Sequence, residues 1–77
     1  MNLSEENERQ LKNMRKNFKL LREKNGWSIR ELSKISGISE KTLYRIEGEK
    51  NFSLIYLFNL CRLYSIKPYD IFKSSYL

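Results

Sequence analysis

At 77 residues the chain lies near the lower end of what folds alone, and such a chain buries only about 60% of the surface its unfolded form exposes, which leaves little room for an enzyme's pocket beside a core. Fifteen Lys and Arg against nine Asp and Glu give a net charge of +6, a balance that suggests a polyanionic partner, nucleic acid or anionic membrane, and says nothing about fold. Three glycines and one proline favour a helical domain over a disordered or β-rich one.

The single cysteine, Cys61, permits no internal disulfide and fits a reducing cytoplasm. Without histidine, CxxC or HExxH spacing, neither a metal nor a cofactor is expected. The stretch MNLSEENERQ is too polar and acidic for a secretory signal. No apolar run approaches the ~18 residues a membrane span needs. One domain over residues 1–77 is expected.

Helix punctuation divides the chain. Ser4 is expected to cap a first helix, with Glu5 and Glu6 at its positive end. Leu11, Met14, Phe18 and Leu21 recur at intervals of three and four as its apolar stripe, and Lys12, Lys16, Lys19 and Lys24 read as solvated. Asn25-Gly26 ends it, because glycine accepts the left-handed cap conformation. Ser28-x-x-Glu31 matches the capping box of a short second helix with Leu32 inside, and Gly37 breaks it. Ser39 caps a third helix that runs through Glu47 to a stop at Gly48, with Leu43 and Ile46 on its core side. At about 100° per residue, Lys41, Tyr44 and Arg45 then centre on its far side.

Ser53 is expected to cap a fourth helix, with Leu54, Leu57, Leu60, Cys61 and Tyr64 inward. Cys61 on that stripe reads as a small core residue, not a nucleophile. Lys67-Pro68 opens a last short helix, where proline suits the first turn, and Ile71 and Phe72 form its apolar face. The expectation is an all-α, five-helix bundle containing a helix-turn-helix.

The segments LREKNGWS, ELSKISGISEKTLYRIEGEK and LFNLCRLYSIKPYDIF, in this order and spacing, resemble the Cro/C1-type (XRE-like) helix-turn-helix family from about residue 18 to residue 72. The resemblance implies the lambda-repressor-like DNA-binding fold and double-stranded DNA as partner. It also implies an ion pair between Arg22 and Glu47, Ser39 at a cap position near the DNA backbone, and Lys50 at a phosphate-contacting position. Two positions depart from the family pattern. Ile29 stands where glutamine usually follows the helix-two cap, which leaves Arg30 as the substitute phosphate contact, and Ser33 replaces a small alanine.

A major groove admits one α-helix, whose N-terminal residues reach base edges. Arg45 can present its fork to guanine N7 and O6, and Lys41 can make a simpler contact to the same acceptors. Glu40 can accept from cytosine N4, Thr42 can meet a thymine methyl or a phosphate, and Tyr44 lies on the same face. The apolar surplus near the carboxyl end, Ile55, Phe58, Phe72 and Tyr76 in particular, suggests a two-fold dimer interface. The expected function is a sequence-specific transcriptional regulator, a repressor in preference to an activator, acting in the cytoplasm as a homodimer on a pseudo-palindromic operator, with no catalytic activity. The competing reading is a protein-interaction module or antitoxin-like partner on the same fold. RNA binding would want exposed stacking aromatics, for which only Tyr44 is well placed.

Overall fold

Serine caps and glycine reversals set the course of the chain. The computed structural model describes residues 3–74, and among these it shows four α-helices, one 3-10 turn and no strand. The helices are α1 (Leu3–Lys24), α2 (Ile29–Ser36), α3 (Glu40–Glu47) and α4 (Leu54–Leu63), and the 3-10 turn covers Asp70–Phe72.

Helix α1 is already formed at Leu3, so Ser4 lies inside its first turn and is not the cap expected from the sequence. Its buried face begins at Met14 and continues through Asn17, Phe18 and Leu21, while Leu11 is exposed. The cause is length. Twenty-two residues span about 33 Å, whereas the other helices have eight to ten residues, so the first turns of α1 have little to pack against. Gly26, at φ 73°, ends the helix. Its N–H donates to Glu23 O at 2.9 Å and the Trp27 N–H to Arg22 O at 3.1 Å, the paired bonds of a Schellman motif.

The helix-turn-helix is closed by local hydrogen bonds. Ser28 Oγ accepts from the Glu31 N–H at 3.0 Å while Glu31 Oε1 accepts from the Ser28 N–H at 3.1 Å, completing the capping box. In the turn, Ser33 Oγ donates to Ile38 O at 2.6 Å and Ser36 Oγ accepts from the Ile38 N–H at 3.1 Å. Ile38 is thereby held in the core. Gly48 leaves α3 in an extended conformation and is glycine for want of space, not for a left-handed φ. Its φ is −91°, open to any residue, but a Cβ there would lie 2.8 Å from Tyr44 O.

Two expectations about the carboxyl third need correction. Leu54 is 62% exposed, because it sits in the first turn of α4, beyond the edge of the core that Leu57, Leu60 and Cys61 enter. The fifth helix is instead the 3-10 turn, with Ile71 fully buried and Phe72 half-buried against the core. Asn17 Nδ2 donates to both Ile71 O and Lys73 O at 2.8 Å, and Asn13 Nδ2 to Phe72 O at 3.1 Å. Side chains of α1 thus take the carbonyls that a continuing helix would use for itself. Helix α4 ends in a second Schellman pattern, with Ser65 at φ 56°, its N–H on Arg62 O and the Ile66 N–H on Cys61 O.

The core joins Met14, Phe18 and Leu21 of α1 to Ile29 and Leu32 of α2, Leu43 and Ile46 of α3, Leu57, Leu60 and Cys61 of α4, and Ile38, Ile66 and Ile71 of the connections. Its burial is what orients α3, since an eight-residue helix is marginal on its own.

Candidate nucleic-acid interface

With Leu43 and Ile46 buried, α3 turns Glu40, Lys41, Tyr44 and Arg45 to solvent. Tyr44 is 62% exposed, which leaves its ring available to a partner. Thr42 is half-buried because it belongs to the cap. Ser39 Oγ accepts from the Thr42 N–H at 3.1 Å and donates to Thr42 Oγ1 at 3.0 Å. The threonine hydroxyl therefore keeps its own proton free to donate outward. Lys50 is exposed in the segment between α3 and α4, and Arg30 is exposed in the first turn of α2. Ile29, at the position where the family usually has glutamine, is buried in the core. Apolar packing takes the place of a side-chain amide, and no phosphate contact can come from it.

Arg22 and Glu47 meet in a bidentate ion pair. Arg22 Nε donates to Glu47 Oε2 at 2.8 Å and Nη2 to Oε1 at 3.0 Å, while Nη1 donates to Trp27 O at 2.8 Å. The two side chains are 13% and 10% exposed. The hydrogen bond to Glu47 raises the Arg22 pKa above its ordinary value, against the opposing effect of burial. The pair ties α1 to the last residue of α3.

Trp27 and Tyr64 stack nearby, ring centroids 6.1 Å apart. Burial, reinforced by Glu47, pushes the Tyr64 phenol up to about 12, and its buried hydroxyl has no hydrogen-bond partner among the described residues. Burial likewise pushes the Cys61 thiol up to about 11, as expected of a core residue and opposite to an activated nucleophile.

Arg15 is a further residue at this site, and the sequence did not mark it. Its Nη1 donates to Arg45 O at 2.7 Å and to Ile46 O at 2.9 Å, and its Nη2 donates to Lys50 O at 3.1 Å. The partners lie 30 to 35 positions away, so no local pattern could reveal them. Asn17 did carry a signal, as a polar residue lodged in the apolar stripe between Met14 and Phe18.

On the outer side of α4, Leu54, Ile55 and Phe58 are exposed, and so is Tyr69 before the 3-10 turn. Phe72 is half-buried within the chain itself. Tyr76 lies outside the described residues. No described helix is long and apolar enough to cross a membrane.

A capped short helix, a serine-closed turn and a second short helix with an exposed polar face define a helix-turn-helix protein. Residues 18–71 match the model of a family described as Helix-turn-helix, of the Cro/C1 (XRE-like) type, and the chain belongs to that family. It is a family of DNA-binding transcription regulators. No curated protein and no solved structure matches the chain.

Proposed function

We propose that the chain is a sequence-specific transcriptional repressor that binds DNA as a homodimer in the cytoplasm, and that it has no catalytic role. The observation that carries this reading is the outward face of α3, where Glu40, Lys41, Tyr44 and Arg45 are exposed while the rest of the helix is packed and tied down at both ends. Arg45 reads guanine through its fork and Lys41 adds a single-point contact, while Glu40 accepts from cytosine and disfavours misplacement against phosphate. Thr42 offers its hydroxyl proton to a phosphate or its methyl to thymine, and Ser39, Arg30 and Lys50 lie along the DNA backbone. The exposed apolar side of α4, with Ile55 and Phe58, supplies the two-fold contact, joined by Phe72 and Tyr76. Two recognition helices about 34–36 Å apart then meet a pseudo-palindromic operator.

Selection of bound duplexes from a random pool tests the reading, followed by titration of the enriched site over a range of salt. Arg45→Ala is expected to cost about 1–3 kcal/mol at particular base pairs. Lys50→Ala is expected to weaken all sequences alike and to flatten the salt slope by about one unit. Sedimentation should show a dimer at micromolar concentration that Phe58→Glu abolishes. A pool that enriches no motif would favour the protein-interaction reading, and a monomer protecting one asymmetric half-site would remove the dimer.

A further inference from the structure

Helix α3 has eight residues and leaves its last carbonyls without helical partners. The Gly48 N–H satisfies Tyr44 O at 2.8 Å. The next two carbonyls, of Arg45 and Ile46, are taken by one guanidinium on a different helix, that of Arg15, which reaches on to the carbonyl of Lys50. The same guanidinium lies over the ring of Phe52, with Cζ 5.7 Å from the centroid. A cation at the carboxyl end of a helix is favoured by the helix dipole, and its bonds to carbonyls are charge-assisted.

These carbonyls belong to the residues that the proposed function uses most. Arg45 is the principal base reader and Lys50 the phosphate reader, and Gly48 and Glu49 between them form no regular element. Arg15 lies outside residues 18–71, the part matched by the family model. We infer that Arg15 is a positioning residue for DNA reading. By holding Arg45, Ile46 and Lys50 through their backbone oxygens, it fixes the base-reading and phosphate-reading side chains in one geometry without touching DNA. The DNA part of this inference rests on the regulator reading above, whereas the bracing part does not.

Arg15 serves three carbonyls through two nitrogens of one planar group, Nη1 on Arg45 O and Ile46 O and Nη2 on Lys50 O. Lysine keeps the charge but presents a compact ammonium with no fixed fork. Arg15→Lys therefore separates bracing from charge. A phosphate contact would survive the change, because lysine binds phosphate as a point charge.

The test compares the DNA-free wild type and Arg15→Lys by amide hydrogen exchange, then titrates both with the enriched duplex and with a random-sequence duplex. Exchange at Glu47 and Gly48, the amides that close the last turn of α3, is expected to quicken about tenfold with α1 unchanged, the sign of a local opening. Affinity for the enriched duplex is expected to fall about tenfold, while random-duplex affinity stays within about twofold and the salt slope is kept. Phe52→Leu, which leaves every charge and hydrogen-bonding group in place, should show the same pattern more weakly and decides the matter if Arg15→Lys does not fold.

Unchanged exchange in both variants overturns the brace. Quickened exchange with full retention of sequence preference overturns the role in reading. If the wild type enriches no motif, the regulator reading and the DNA part of this inference fall together, and the exchange result still decides the brace.

Discussion

Removing the carboxylate of Glu47 strands a nearly buried guanidinium. In the wild type Arg22 makes three hydrogen bonds, two to Glu47 and one to Trp27 O, with both side chains of the pair about nine-tenths buried. Glu47→Ala leaves only the bond to Trp27 O and no carboxylate in hydrogen-bond contact, with the charge of Glu23 acting from farther off. Breaking a buried pair from one side costs about 3–5 kcal/mol, and the residual access of Arg22 to water places this pair near 3 kcal/mol, on the order of that lower limit. A 77-residue chain has a total stability of about 4–12 kcal/mol, so a quarter or more of it would be lost. Urea denaturation followed by circular dichroism reads this directly. With m of about 1 kcal/mol/M, a loss of about 3 kcal/mol lowers the midpoint by about 3 M at constant m. Arg22→Met combined with Glu47→Leu should cost less than Glu47→Ala alone, because no charge is then left uncompensated. A midpoint shift of less than about 0.5 M for Glu47→Ala would refute the reasoning, since it would mean that water replaces the pair freely.

Three further outcomes are expected. Tyr64 ionises near 10.0 when unfolded and at about 12 when folded, and Cys61 near 9.0 and about 11. The unfolded chain therefore releases protons first, and stability should fall as pH rises from 9 towards 12; urea midpoints across that range would contradict this if Tyr64→Phe with Cys61→Ala left the slope unchanged. Ser65→Gly should stabilise the chain by about 0.5–1 kcal/mol, because φ 56° strains a serine and not a glycine; a lower melting temperature would show that the serine side chain contributes more than its backbone costs. Gly48→Ala should destabilise by about 1–2 kcal/mol, since its Cβ would press on Tyr44 O at 2.8 Å, and an unchanged melting temperature would mean that the turn relaxes without loss.

Much of the fold is legible along the chain because its signals are local. Ser28 with Glu31, Ser39 with Thr42, and the glycines at 26 and 37 act within four residues of their own positions. Residue type and spacing alone therefore reveal where α2 and α3 begin and where α1 and α2 end. The exposed face of α3 follows from the period of Leu43 and Ile46 in the same way. What the sequence could not show depends on how far each helix overlaps its neighbours. Leu11 and Leu54 continue apolar stripes, yet each lies past the edge of the core, and a stripe carries no information about where its partner ends. The last element stops after one 3-10 turn, and the carbonyls at its end, of Ile71, Phe72 and Lys73, are taken by Asn13 and Asn17, more than fifty residues away in sequence. The guanidinium of Arg15 likewise reaches the carbonyls of Arg45, Ile46 and Lys50 across 30 positions or more. Backbone carbonyls are identical at every residue, so which side chain satisfies them is decided only when the helices are packed.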